Sequence, residues 1–355
     1  MMTTSISEHD PVVLTGCGWV TPFQMGAIKD VLSQAQVAVP APPAIAPYWP
    51  APDQRVDDHP GLFNEIRMDK GTSMAAIAIE HACREALLSL ESLDPTRSGL
   101  TLGIGLAGQL GMIGFSGEVR QKSARFVSPI HFPQTVGNYI AGALARGYHL
   151  RGPNVTLACG DASGLDAMIE ACSLIESGRA DVMLAGGMEQ WSDALATGLA
   201  DTNHVLSEGA CLFVVERASQ AAARGVEPLA RVAHWKTVPL GVADFQEQSS
   251  DEDHRAGSIQ STAGFRIPGG LFIESWSGRC PGAGGAAAAA AAIGAVRHQQ
   301  PVPVVDGSDP ARICISPVNI DDHVTKTNSV SVAVLAEAHD THRSVLALTC
   351  PLNQS

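Results

Sequence analysis

Positive charge is scarce in this chain of 355 residues. Only 23 lysines and arginines stand against 36 aspartates and glutamates, a formal net charge of −13. No long basic run offsets the deficit, which argues against nucleic acid as a partner. Aromatic residues make up 5%. The eight cysteines (Cys17, Cys83, Cys159, Cys172, Cys211, Cys280, Cys314, Cys350) form no CxxC pair and no Cys/His cluster with metal spacing. They read as buried free thiols in a reducing compartment, with no metal and no cofactor expected. The N-terminus is polar (Glu8, His9, Asp10), so no leader peptide is read there and a cytoplasmic location is expected. The longest apolar run, GAGGAAAAAAAIGAV at residues 282–296, is too short and too weakly hydrophobic to span a bilayer. It reads as an alanine-faced helix packed under a sheet. Solenoid-type short repeats are absent from the sequence.

What the chain does have is small residues and apolar runs. It contains 35 glycines and 45% hydrophobic residues, enough to bury a large core. The first strand, PVVLTG at residues 11–16, leads into a Gly16-Cys17-Gly18 turn. Residues 36–60, rich in Pro and Ala, read as a loop. An amphipathic helix is predicted over residues 68–90 and a strand at 101–106 that ends in glycine-rich turns (Gly105, Gly108, Gly111, Gly114). A second small-faced helix is predicted at about 134–148. Strands follow at 208–216 and 229–235 around a short helix at 218–224, and a polar loop runs from 236 to 262. The alanine helix and strands near 312–315, 328–335 and 344–348 complete the chain. Strands alternating with helices give an α/β class.

The most informative stretch is residues 152–190, GPNVTLACGDASGLDAMIEACSLIESGRADVMLAGGMEQ. A buried strand ends in a Cys-Gly-Asp-Ala-Ser-Gly turn. An amphipathic helix follows, with Leu165, Met168, Ile169, Cys172 and Ile175 on one face. The turn Ser177-Gly178 leads to a second buried strand at Val182-Met183-Leu184-Ala185, which ends in Gly186-Gly187. Strand, tight turn and helix form an elbow that presents one side chain at a helix N-terminus, where free backbone N–H groups point outward. The residue presented is Asp161.

The opening VVLTGCGWVTP, the helix beginning Arg67-Met68-Asp69, FVSPIHFPQTVGNYIAG at 126–142, the elbow block, and SEGACLFVVERASQAAARG together resemble the β-ketoacyl-acyl carrier protein synthases, condensing enzymes of the thiolase fold. Farther on, only GRCPGAGGAAAA (278–289) and KTNSVSVAVL (326–335) match. The resemblance implies two similar α/β halves in a layered αβαβα arrangement, here residues 1–216 and a shortened 217–355, and a dimer paired edge to edge.

The departures decide the functional expectation. The family carries a Cys in T-A-C-x-S-G whose thiolate takes the acyl chain as a thioester. Aligning Gly152-Pro153 and Ser163-Gly164 puts Asp161 there. The family's two His residues stabilise the oxyanion. Arg279 occupies one of those places, and the His-Gly-Thr-Gly-Thr run that supplies the other is missing. The family's glycine-rich loop is reduced to residues 323–328. An Asp at a helix N-terminus accepts backbone N–H bonds and complements the dipole, so Asp161 reads as a cap, a weak base and a poor nucleophile. Cys159, two residues earlier, reads as a structural thiol with no His recognisably placed to activate it.

Loss of catalysis with retention of the dimer-forming half resembles the chain-length factors of type II polyketide synthases. The implied function is a non-catalytic subunit that pairs as a heterodimer with an active ketosynthase and shapes the acyl tunnel in polyketide, aryl polyene or fatty-acid-like biosynthesis. Leu110, Met112, Ile113, Phe115 and Phe132 are the tunnel or interface candidates, with ordinary core as the alternative. The negative net charge leaves docking of the acidic acyl carrier protein mainly to the partner. The competing expectation is a homodimeric condensing or acyl-transferring enzyme that uses Asp161 or Cys159.

Overall fold

The computed structural model describes residues 10–22, 25–27, 48–52, 69–198, 206–239, 280, 282–298, 313–317, 329–338 and 342–351. The first strand is longer than the sequence pattern suggests: β1 covers Val12–Val20, all of it buried. Gly16 and Gly18 therefore sit inside a strand and not in a turn. Their lack of a side chain serves close packing against helix α1, Lys70–Glu85. A Cβ on Gly18 would stand 1.7 Å from the Ala78 carbonyl oxygen, and one on Gly16 2.0 Å from that of Ala82. Helix α1 starts where Asp69 caps it, its carboxylate accepting the Thr72 N–H at 2.7 Å. It stops short of the predicted residue 90, and Leu87 turns the chain with φ +48.

The remaining strands are β2 (Met25–Gly26), β3 (Tyr48–Trp49), β4 (Ser98–Ile104), β5 (Asn154–Leu157), β6 (Val182–Glu189), β7 (Leu206–Ser207), β8 (Gly209–Arg217), β9 (Ala230–Pro239), β10 (Ile313–Pro317), β11 (Ser329–Ala338) and β12 (His342–Pro351). Ten of the twelve form one sheet in the order β10-β11-β12-β9-β1-β8-β6-β4-β5, with β2 on β1; β3 and β7 pair separately. Strands β5, β4 and β6 run parallel, as crossovers through helices require. The two portions of the large sheet meet at a short joint, where β1 pairs β9 only through Val13↔Arg231 and Leu14↔Ala230.

Helices α2 (Gln109–Lys122), α3 (Tyr139–Gly147), α4 (Ser163–Glu176), α5 (Asp193–Gly198), α6 (Ala218–Ala223) and α7 (Gly284–His298) complete the described elements. Two apolar layers organise them. On one face, α1 and α3 pack on β4, β6 and β8 through Met74, Ile79, Leu100, Leu144 and Leu212. On the other, α4 and the alanine helix α7 lie against β1, β6 and β8 and also against β9, β11 and β12. The alanine run thus packs as expected, with residues 286–294 buried. Gly111 and Gly114 lie within α2, where loops were expected. No helix among the described residues is long and apolar enough to cross a membrane.

Candidate functional site

The elbow forms where the sequence places it. Strand β5 ends at Leu157, Gly160 turns the chain with φ +67, and a short 3-10 turn, Gly160–Ala162, delivers α4. Ser163 ties the turn: its hydroxyl donates to the Gly160 carbonyl at 2.7 Å and accepts the Cys159 N–H at 2.8 Å. The turn is pressed onto β4, where a Cβ on Gly103 would lie 2.3 Å from the Ser163 backbone. Asp161 is completely buried in this turn. The residue immediately before α4 is Ala162, with no side-chain cap bond, and Asp161 sits one residue earlier, in the first turn of the 3-10 segment.

Next to the elbow, Glu189 at the end of β6 gathers three chain segments. Its carboxylate accepts the N–H groups of Ala107 at 2.7 Å, Leu106 at 3.1 Å and Gly282 at 3.2 Å, linking the turn after β4 to the approach to α7. Burial pushes its pKa from 4.5 up to about 7, against the opposing pull of those N–H donors. The sequence signal was an acidic residue closing an otherwise apolar buried strand. Because the folded form holds its proton more tightly than the unfolded one, this group's contribution to stability falls as pH rises from 4.5 to about 7. That difference corresponds to roughly 3 kcal/mol. Urea unfolding at stepped pH is expected to show this slope in the native protein and to show it flattened in Glu189→Gln. Any stability deficit of that variant should be largest below pH 4.5 and shrink by roughly 3 kcal/mol above pH 7, where the native protein carries the buried charge.

Cys159 is not isolated. Folding brings Asp166, one turn into α4, and His342, the first residue of β12, to within 4.8 Å of its sulfur, measured between donor atoms. His342 Nε2 lies 2.8 Å from Asp166 Oδ2, and the Ser344 hydroxyl donates to Asp166 Oδ1. This corrects the expectation that no His or cluster stands near the thiol. Burial, and then the Asp166 carboxylate, push the Cys159 thiol up to about 11. At neutral pH its thiolate fraction is therefore on the order of 10⁻⁴, a weak nucleophile.

The five tunnel or interface candidates lie on two adjoining elements, together called the arm. Leu110, Met112, Ile113 and Phe115 lie on α2, which buries no residue fully, and Phe132 lies in the 3-10 stretch Pro129–Thr135 beside it. Met112 is 45% and Phe132 60% exposed. Phe115 and Phe132 meet edge to face with ring centroids 5.9 Å apart. Phe126 and Val136, not singled out from sequence, extend the exposed apolar surface. Met112, Ile113 and Phe132 are exposed, which ordinary core residues are not, while Leu110 and Phe115 are partly buried. Arg279 and residues 323–328 lie outside the described residues.

Residues 53–226 match the family model described as beta-ketoacyl synthase, N-terminal domain. The 3-oxoacyl-[acyl-carrier-protein] synthase 2 of Vibrio cholerae is 29% identical over 229 residues, 57% of this chain and 54% of that protein. Its counterpart in Staphylococcus aureus is 26% identical over 204 residues, 51% of each. The chain thus spans about half the length of the curated relatives it matches. Among solved structures, a β-ketoacyl synthase from Burkholderia phymatum superposes with a TM-score of 0.72 at 18% identity. The ishigamide ketosynthase/chain length factor does so at 0.65 and 21%. In both cases the match covers 96% of this chain and 99% of the other. The fold is thiolase-like, of the ketosynthase kind.

Proposed function

We propose that this chain, whose residues 53–226 match the β-ketoacyl synthase N-terminal domain model and whose fold is thiolase-like, works as a non-catalytic subunit resembling a chain-length factor. It pairs with an active β-ketoacyl-acyl carrier protein synthase and bounds the acyl tunnel in polyketide, aryl polyene or fatty-acid-like synthesis. The chain is taken as two halves, residues 1–216 and 217–355. The observation that carries the reading is Asp161. A carboxylate, fully buried in the elbow turn, stands at the position where the family pattern has its acyl-accepting thiol. An acyl carboxylate would be a labile mixed anhydride, unlike a thioester. The exposed apolar arm around Met112 and Phe132 offers the pairing surface, and the net charge of −13 leaves carrier-protein docking to the partner.

The test is covalent loading. The chain, alone and co-purified with an active ketosynthase, is incubated with acyl-loaded carrier protein and both polypeptides are weighed by intact mass spectrometry. Acyl adducts are expected on the partner's cysteine only. An adduct on this chain alone would favour the second reading, acyl transfer by a homodimer, which draws on the Asp166 and His342 side chains around Cys159. Peptide mapping then separates Cys159 from Asp161.

A further inference from the structure

We propose that Cys159, Asp166 and His342 form a binding site for one Zn²⁺ ion, which staples the elbow to the C-terminal part of the sheet. The inference is independent of the subunit reading above. A sulfur, a carboxylate oxygen and an imidazole nitrogen lie within 4.8 Å of one another. A cation with bonds of about 2.0–2.3 Å draws together donors at that spacing. The donor set is selective: a thiolate disfavours Mg²⁺ and Ca²⁺, while the S/N/O combination suits zinc. Three protein ligands leave a fourth position for water.

The surroundings are those of a held site. Asp166 is buried, and Ser344 fixes the carboxylate oxygen that His342 does not contact. Such outer partners orient metal ligands. On binding, the Cys159 thiol loses its proton to solvent and His342 ligates through an unprotonated Nε2, any proton there passing to Nδ1 or to water. The His342–Asp166 hydrogen bond is exchanged for two bonds to the ion. A thiol held protonated by burial is still ionised by a coordinated cation, whose charge reverses the local electrostatics. Cys159 and Asp166 flank the turn that carries Asp161, and His342 begins β12, so the ion would fasten two distant parts of the chain.

The full-length chain is stripped with a chelator and titrated with Zn²⁺ by calorimetry, and with Co²⁺ by absorption spectroscopy. One equivalent is expected to bind, Co²⁺ giving a thiolate-to-metal charge-transfer band and tetrahedral d–d bands. Zn²⁺ should also raise the unfolding temperature. Cys159→Ser, which keeps a hydroxyl to donate to Asp166, should fold, lose the charge-transfer band, bind at least tenfold more weakly and show no thermal shift. Ser344→Ala should weaken binding roughly tenfold by freeing the carboxylate. No stoichiometric binding, or equal binding by native protein, Cys159→Ser and His342→Gln, would overturn the proposal.

Discussion

Alanine at Gly18 is expected to cost the protein a large share of its stability. The added Cβ would sit 1.7 Å from the Ala78 carbonyl oxygen, 2.6 Å from its carbon and 2.8 Å from the Ala82 nitrogen. All three are backbone atoms of α1, so no side chain can swing aside. Relief requires lifting the helix off β1, which opens the layer formed by Met74, Ala75, Ala78, Ile79 and Ala82. Overpacking a core costs about 1–3 kcal/mol where side chains can adjust. Here they cannot, and about 3 kcal/mol or more is expected, against a total of about 5–15 kcal/mol for a folded protein. Gly142, on the exposed side of α3, has nothing within 4 Å of its would-be Cβ. Gly142→Ala should therefore be stabilising by about 0.5–1 kcal/mol through helix propensity. Denaturant midpoints of the two variants test the contrast, and a Gly18→Ala protein as stable as the native one would contradict the packing described.

Aspartate at Phe132 is expected to weaken pairing with a ketosynthase sharply while sparing the fold. The ring is 60% exposed and touches the edge of Phe115, so its loss removes little core. Unfolding free energy should change by only about 0.5 kcal/mol. In an interface, an aromatic anchor of this kind contributes about 2 kcal/mol or more, and a buried charge adds a desolvation penalty. The dissociation constant should rise roughly 30-fold or beyond. Met112→Asp, on the same arm, should act alike. Analytical ultracentrifugation of the mixed subunits reads the first effect and thermal unfolding the second. Pairing that survives both substitutions would move the interface away from α2.

The sequence pattern carried the α/β alternation and the elbow because both are local: a β-branched run, a small-residue turn and a 3.6-residue apolar period lie in one stretch. Gly16 and Gly18 were misread because a glycine that admits a helix backbone and a glycine that turns the chain look identical until the neighbour is known. The same ambiguity hid α2, whose Gly111, Gly114 and Gly117 lie on a helix with no fully buried residue. The Cys159 cluster was beyond reach for another reason. Asp166 and His342 are 176 positions apart, and no local feature of HRSVLALTC marks its first residue as a neighbour of the elbow. Glu189 went unread too: an acid closing an apolar strand is a local signal, but its three N–H donors come from two other segments.

The shared position of α4 and α7 also has a consequence during synthesis. The apolar face of α4 is completed by the alanine helix, which the ribosome makes more than a hundred residues later. At about 5–20 residues per second, Leu165, Met168 and Cys172 wait on the order of ten seconds for their cover. Over that interval the nascent chain presents a sticky, half-finished surface, and production of this protein should depend on chaperone supply more than the final fold's dense packing would suggest.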